Sequence, residues 1–218
     1  IYYHDNPPLW RAYLNAVDYF GIDGWFIYGD PGFRYPVPLQ YERTIRSHTA
    51  ERMVMDERIS TPAGDLTSEI TFYVADPPTP TVKPIKDIRR DWEKVLYLFQ
   101  EPCGYDPEIM RIQRSELGER GVYGLCVGAP GFQGWFYSFE GSEQTLTYLY
   151  YDAPEIIEEL RVLTERQILK QTEMILELRP DFILIGASGT ITLQSPTLAR
   201  KLTLPTVQKV TRMAREVG

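Results

Sequence analysis

The sequence of 218 residues predicts an α/β fold, because three short apolar segments are separated by stretches with helical periodicity. The apolar segments lie at residues 24–29, 122–128 and 181–186. None of them alternates apolar with polar residues, which is typical of parallel strands covered on both faces. The sequence therefore predicts a parallel sheet that is buried between two layers.

The helices are marked by residues that begin and end helices. Asn6 and Pro7 suit the start of the first helix, and Gly21 suits its end. Two further helices are predicted at residues 87–100 and 106–119. The first helix precedes the first predicted strand, and the other two lie between the first and the second predicted strand.

Two longer helices are predicted in the second half of the chain. Asp152 and Glu155 have the spacing of a capping box, so a long helix is expected to begin there and to continue to Pro180. The last helix is expected over residues 195–217, with a bend at Pro205.

An antiparallel hairpin is predicted at about residues 50–75. Apolar and polar residues alternate imperfectly on both sides of residues 61–65, where Pro62 and Gly64 suit a tight turn. Residues 76–84 contain four prolines and are predicted to be an extended connector.

Composition and charge limit the class of protein. Hydrophobic residues make up 43% and charged residues 24%, as expected of one globular domain over residues 1–218. The net charge of -7 argues against general binding to nucleic acid or to an anionic membrane. No apolar run approaches the length that crosses a bilayer, so we expect a cytoplasmic protein. The first residue is Ile1, so we also expect a piece of a longer protein.

Each predicted strand is followed by a glycine-containing loop. These loops lie at residues 29–32, 128–131 and 186–189. In parallel α/β proteins the carboxyl ends of the strands carry the site, so the loops are the first candidates for binding or catalysis. The alternative is that the glycines only turn the chain.

Common nucleotide, hydrolase and metal motifs are absent from the sequence. No Gly-x-Gly-x-x-Gly or Gly-Lys-Ser/Thr pattern occurs, and Ser188 does not stand in a Gly-x-Ser-x-Gly pattern. His4, His48, Cys103 and Cys126 are too scattered to predict a metal site.

Several segments resemble the uroporphyrinogen decarboxylase superfamily. The resemblance lies in a strand and glycine loop at residues 182–190, a Ser-Pro at 195–196 and a Leu-Pro at 204–205. Residues 23–30 resemble the strand that ends in the active-site aspartate of the family, and residues 137–141 resemble its Tyr-x-x-Glu-Gly pattern.

This resemblance implies a partial (β/α)8 TIM barrel with the antiparallel β-hairpin as an insertion. The chain would be the amino-terminal and middle part of the barrel. The superfamily includes decarboxylases of tetrapyrrole (porphyrin) biosynthesis and methyltransferases that move methyl groups between corrinoid proteins and thiols.

The resemblance also implies roles for individual residues. Asp30 matches the aspartate that holds pyrrole N–H groups, and Tyr137 matches a tyrosine that contacts the substrate, so both are expected to be catalytic. Alternatively, Asp30 is a turn residue and Tyr137 packs a loop. The expected substrate-binding residues are Arg34, Trp135, Ala187, Ser188 and Gly189.

Two features bear on which reaction is expected. The Thr-Pro-x-Gly turn of the hairpin resembles members on the methyltransferase side. Arg34, Arg43 and Arg46 follow the first strand and would suit a decarboxylase substrate with many carboxylates, or they form a solvated face.

We therefore expect a corrinoid-linked methyltransferase that moves a methyl group to a thiol. Zinc and a corrinoid are expected for the full-length protein, with no cofactor held within this chain. The expected partners are a tetrapyrrole or corrinoid ligand, a corrinoid-carrying protein and, for the assembly, a second copy in a homodimer. The alternatives are uroporphyrinogen decarboxylation without a cofactor, and a non-catalytic module that binds through an aromatic loop at residues 132–137.

Overall fold

The structure is a computed structural model that describes residues 8–186 and 194–218. Its strands are β1 (Gly24–Gly29), β2 (Phe33–Arg34), β3 (Gln40–His48), β4 (Arg52–Thr61), β5 (Gly64–Tyr73), β6 (Thr79–Val82), β7 (Gly104–Tyr105), β8 (Gly121–Val127) and β9 (Phe182–Ile185). Its helices are α1 (Leu9–Phe20), α2 (Ile88–Leu98), α3 (Glu108–Leu117), α4 (Phe132–Phe136), α5 (Ser142–Asp152), α6 (Pro154–Glu177), α7 (Pro196–Leu198) and α8 (Leu204–Glu216).

The three predicted apolar strands form one parallel sheet in the order β1–β8–β9. The prediction that they lie side by side and point the same way is confirmed. Their observed bounds differ from the predicted ones by at most a residue at each end, because glycines and Asp181 mark where each strand starts or stops.

One face of this sheet is covered by four helices. Helices α1, α3, α6 and α8 pack buried apolar side chains against Phe26, Tyr123 and Leu125 of the sheet. The helical side chains in this core are Leu14, Met110, Leu117, Ile168, Ile175 and Val210. Burial of these groups is the main source of stability for this half of the molecule.

The opposite face of the parallel sheet is open among the described residues, so the prediction of burial on both faces is wrong. Trp25 is 53% exposed and Val122 is 47% exposed. The Trp25 ring stacks on Phe182 with centroids 5.5 Å apart, and Phe182 lies over Gly124 of the strand between them. An apolar strand sequence predicts burial, but it does not say whether this chain supplies both layers.

A second core joins α2, α4, α5 and the first half of α6. It contains the fully buried side chains of Trp135, Phe139, Leu146 and Leu160. Residues 132–137 were predicted to be an exposed aromatic loop, but helix α4 buries Phe132 and Trp135. Helices α4 and α5 were not predicted, since their aromatic residues have no clear helical period.

The hairpin of β4 and β5 is present, with Thr61 paired to Gly64 at its turn. It belongs to a larger antiparallel sheet with the order β3–β4–β5–β6. The predicted connector at residues 76–84 is partly wrong, because β6 pairs with β5 there and Pro80 lies opposite Ile70. Proline is tolerated on such an edge strand, where one side of the backbone needs no partner.

The predicted capping box at the start of α6 is wrong. Asp152 is the last residue of α5, and its carboxylate accepts a hydrogen bond from Arg89 at 3.1 Å. Helix α6 starts at Pro154 without a side-chain cap, since proline has no N–H to satisfy in the first turn. Asn6 and Pro7, predicted to start the first helix, lie outside the described residues.

The last predicted helix is broken into parts. Ser195 caps α7, and a π-helical turn at Ala199–Thr203 separates α7 from α8. The predicted bend near Pro205 thus takes the form of this wider turn, because proline cannot donate a backbone hydrogen bond to the preceding turn.

The sheets of the described part of the chain are open, and they form no closed barrel. The fold is therefore α/β with a three-stranded parallel sheet and a separate antiparallel sheet. Within the same residues, no helix combines the length and apolar character that a bilayer crossing requires.

The buried carboxylate of Asp91 makes stability depend on pH. Burial raises the pKa of this carboxyl, but hydrogen bonds from Lys94, Arg90 and the Asp87 N–H together lower the pKa below its ordinary 3.8. The stabilisation that the Asp91 carboxylate provides is therefore present at pH values above that ordinary pKa, and it is lost as the pH falls through the lower pKa of the folded state. We expect the unfolding free energy of the wild type to fall more steeply than that of Asp91→Asn between pH 5 and 2, measured by urea denaturation.

The control for this prediction is Asp76→Asn, at an exposed position in the connector between β5 and β6. Its acid dependence should follow that of the wild type. Equal acid dependence of the wild type and Asp91→Asn would contradict the assigned role.

Candidate functional site

The carboxyl ends of β1, β8 and β9 lie at one edge of the parallel sheet. Gly29 pairs with Leu125, and Val127 pairs with Ile185, so the loops that follow these strands start side by side. The pairing of β1 with β8 is irregular between Phe26 and Gly29, where β1 has one residue more than its partner. Such bulges re-aim the residues that follow, here Asp30.

Asp30 is exposed at this edge. One carboxylate oxygen, Oδ1, accepts a hydrogen bond from the Gly32 N–H at 2.8 Å. Among the described residues the other oxygen has no hydrogen-bond partner, so it is available to an N–H group of a ligand. Asp30 thus stabilises the turn through one carboxylate oxygen and offers the other oxygen as a hydrogen-bond acceptor.

Gln113 of α3 holds the start of the Asp30 loop in place. Its side chain is 2% exposed, and its Oε1 accepts hydrogen bonds from the Asp30 N–H at 3.1 Å and from the Tyr123 hydroxyl at 2.7 Å. Its Nε2 donates to the Tyr28 carbonyl at 3.0 Å. Burial raises the pKa of Tyr123, so its hydroxyl stays protonated and keeps donating.

Sequence reasoning missed Gln113. The available signal was a glutamine on the apolar stripe of a helix, between Met110 and Leu117. A polar side chain at such a position must be hydrogen-bonded inside the protein, which marks it as a positioning residue.

The loop after β8 is tied to the segment after β2. The Gly128 N–H donates to Gln171 Oε1 at 3.3 Å, and Gln171 Nε2 donates to the Tyr35 hydroxyl at 3.3 Å. Burial raises the pKa of Tyr35. One helix side chain from α6 therefore connects the central strand end to the neighbouring aromatic segment.

The loop after β9 is described only as far as Gly186. Its φ of 88° lies in the left-handed region, which glycine adopts without strain. The predicted binding residues Ala187, Ser188 and Gly189 lie outside the described residues.

Tyr137 and Trp135 differ in accessibility. Tyr137 follows α4 and is 54% exposed, whereas Trp135 is fully buried in the second core. The Trp135 indole N–H has no hydrogen-bond partner among the described residues, and a fully buried ring presents no surface to a ligand in this conformation. No hydrogen bond described here joins Tyr137 to Asp30.

The predicted arginine cluster is mostly engaged. Arg43 pairs with Glu57 at 2.7 Å, and Arg46 pairs with Asp56 and Glu69 on the antiparallel sheet. Arg34 is exposed and, within the described chain, has no carboxylate partner. Its guanidinium lies beside Gly104, where a Cβ would be 3.1 Å from a terminal nitrogen of Arg34.

The described residues contain no group of three or more His, Cys, Asp or Glu side chains that could hold a metal ion. The ligands of the zinc expected for a methyltransferase are therefore not brought together in this part of the chain.

Two clefts lie near the ends of the parallel sheet. The larger, of about 960 Å³, lies at the amino-terminal end of β9 and is lined by Asp181, Phe182 and the end of α8. The smaller, of about 550 Å³, is lined by Arg34, Tyr35 and neighbouring residues. Parallel α/β proteins use the carboxyl edge, which favours the smaller cleft and the adjoining Asp30 loop.

Known proteins provide no match to this chain. No protein-family model, no curated protein and no solved structure matches it.

Proposed function

We propose that this chain is the amino-terminal and middle part of a β/α-barrel enzyme of the uroporphyrinogen decarboxylase type. Two observations support this proposal. The parallel strands lie in the sheet in the same order as in the chain, and the helices that connect them lie on one face of the sheet. Crossovers between parallel strands are right-handed, so strands added in one direction place every connecting helix on the same face. Here α3 and α6 both pack on the same face as α1 and α8.

The open face of the sheet fits the same proposal. A doubly wound sheet would carry helices on both faces, whereas the strands of a barrel turn one face inward and fill it with side chains. Trp25, Val122 and Phe182 supply large apolar side chains on that face. These residues would belong to the barrel interior once the remaining strands are in place.

The proposed activity is corrinoid-linked methyl transfer to a thiol. The sulfur of a thiolate forms the new S–CH₃ bond while the Co–CH₃ bond of the methylcorrinoid substrate breaks. The cobalt keeps both electrons of that bond and leaves as cob(I)alamin, and the proton of the thiol has gone to solvent. In this proposal Asp30 accepts an N–H from an amide side chain of the corrinoid, and the exposed Tyr137 contacts the ligand.

The engaged arginines favour this substrate over a tetrapyrrole with many carboxylates. Arg43 and Arg46 already neutralise carboxylates of the antiparallel sheet, and Asp30 adds negative charge at the strand ends. A polycarboxylate would need several free cations there, and of Arg34, Arg43 and Arg46 only Arg34 has no carboxylate partner among the described residues, whereas the amide groups of a corrinoid are neutral. The thiol in this proposal comes from the acceptor substrate, since the described residues contain no group of side chains that could hold zinc.

The test uses the full-length protein, anaerobic methylcobalamin and 2-mercaptoethanol. We expect loss of the methylcobalamin absorbance together with formation of the methyl thioether, measured by mass spectrometry. Asp30→Asn should lower kcat/KM about tenfold to a hundredfold, the effect of losing a charge-assisted hydrogen bond of about 1.5–3 kcal/mol.

The matched control is Asp76→Asn, which removes an exposed carboxylate in the connector before β6 and should retain full activity. Absence of thioether with the wild type would reject methyl transfer. An unchanged kcat/KM in Asp30→Asn would reject the role of Asp30 alone.

Decarboxylation of a uroporphyrinogen is the second candidate, favoured by the free carboxylate oxygen of Asp30. That oxygen can accept the N–H groups of pyrrole rings as well as those of amides. Release of CO₂ from uroporphyrinogen by the same full-length protein, without thioether formation, would support this candidate. If Asp30→Asn decarboxylated at the wild-type rate, the carboxylate would have no part in it.

A further inference from the structure

A cleft of about 550 Å³ lies between the segment that joins β2 to β3 and the end of α2. Tyr35 lines it from the first segment, Tyr41 lines it from β3, and Tyr97 lines it from α2. Its volume falls within the range of small-molecule sites, which are mostly apolar with a few placed polar groups. We call it the tyrosine cleft.

Hydrogen bonds hold the walls of the tyrosine cleft in place. Gln100 accepts a hydrogen bond from the Val37 N–H at 3.0 Å, and its Nε2 donates to the Val37 carbonyl at 2.9 Å. The same Nε2 donates to the Tyr97 carbonyl at 2.9 Å. A wall that is fixed before binding lowers the entropy cost of binding a ligand.

The Tyr35 side chain is held by a separate hydrogen bond, which comes from helix α6. Its hydroxyl accepts the hydrogen bond from Gln171, which also holds the Gly128 N–H. Gln171 thus connects the tyrosine cleft to the carboxyl edge of the parallel sheet. The residues that line the cleft belong to other segments of the chain.

Arg34 supplies the charge of the tyrosine cleft. It lines the cleft, and among the described residues no carboxylate neutralises it. The nearby Arg43 is paired with Glu57, and its guanidinium lies 5.9 Å from the centre of the Tyr41 ring. An arginine beside tyrosine rings can pair with an anion while the rings stack on a flat group.

We propose that the tyrosine cleft binds a small planar aromatic carboxylate, with the carboxylate on Arg34 and the ring between Tyr35, Tyr41 and Tyr97. This inference does not depend on the reaction proposed above, because it concerns binding alone. The chemical class follows from two features that occur together: one unneutralised guanidinium, and walls of aromatic rings.

The test is binding of 1-naphthoate to the chain, measured by isothermal titration calorimetry and by saturation-transfer NMR. We expect saturable binding with a Kd of about 1 mM or lower, and Kd values roughly tenfold higher for 1-naphthalenemethanol and for cyclohexanecarboxylate. The first of these compounds lacks the charge, and the second lacks the aromatic ring.

Two variants examine the two features separately. Arg34→Gln should raise the Kd for 1-naphthoate about tenfold, as should Tyr97→Leu. Arg58→Gln is the matched control, because Arg58 is an exposed arginine on β4 that pairs with Asp65 outside the tyrosine cleft. Circular dichroism establishes that each variant is folded.

The proposal fails if 1-naphthoate shows no saturable binding up to about 10 mM, a concentration well above the expected Kd. It also fails if Arg34→Gln binds as tightly as Arg58→Gln, or if the neutral analogue binds as tightly as the carboxylate. Failure of methyl transfer in the full-length protein would leave this binding result unchanged.

Discussion

Gly29→Ala is expected to destabilise the protein by about 3 kcal/mol, the upper part of the usual range for overpacking. A Cβ at this position would lie 2.2 Å from the Gly124 carbonyl oxygen and 2.6 Å from Leu125 Cδ2. The first of these atoms is backbone in the middle of the sheet, so it cannot move without disturbing the strand pairing. Urea denaturation should show the loss as a lower midpoint.

The matched control is Gly128→Ala at the end of the neighbouring strand. There the nearest atom to a new Cβ is Ile168 Cγ1 at 3.2 Å, a side-chain atom that can shift. We expect a loss of about 1 kcal/mol or less for this variant. If both variants unfold at the same urea concentration, the close approach of β1 and β8 at Gly29 is not as described.

Gln113→Leu is expected to cost about 3 kcal/mol, because it removes three hydrogen bonds of a buried side chain and takes the acceptor from the buried Tyr123 hydroxyl. The affected groups are the Tyr123 hydroxyl, the Asp30 N–H and the Tyr28 carbonyl. An unpaired buried donor or acceptor costs about 1–3 kcal/mol, and the leucine recovers part of this as an apolar group. The measurement is again the free energy of unfolding in urea.

Gln144→Leu is the control for the same chemical change on an exposed helix position. It should alter stability by no more than about 0.5 kcal/mol. Tyr123→Phe provides a second comparison, since it removes one hydrogen bond and leaves the other two. A wild-type unfolding free energy for Gln113→Leu would show that this network does not stabilise the strand end.

The effects of the substitutions at Gly29 and Gln113 are coupled through Tyr123. The Tyr123 hydroxyl lies 2.9 Å from the position of a Cβ on Gly29, and it donates to Gln113. Neighbouring residues with a shared partner do not usually contribute additively, so the double variant should lose less than the sum of the single losses.

The candidate site was predicted in part. The glycine pattern after each apolar strand was sufficient to place Asp30 at a strand end, because glycines and apolar runs act locally. Accessibility was not predictable in the same way: Trp135 and Tyr137 are two positions apart, yet one is buried and the other exposed. Their difference depends on how α4 packs on α2 and α5, which the aromatic composition of the segment does not reveal.

The antiparallel sheet was likewise predicted only in part from the sequence. Pro62 and Gly64 predicted the turn of the hairpin, since both residues restrict or permit particular backbone angles. Strand β3 and strand β6 were missed, because β3 is exposed throughout and β6 contains Pro80. Their pairing comes from the hydrogen-bonding edges that the hairpin offers, rather than from any apolar pattern of their own.

By itself, the sequence determined the α/β class, the three apolar strands and the glycine-edged loops, because apolar periodicity and backbone preferences act within a few residues. The tertiary structure alone decided that one sheet face stays open and that Gln113 holds Asp30. Gln113 and Asp30 are 83 positions apart. Such a contact arises only when helix and sheet pack together, since no local preference of either segment specifies the other.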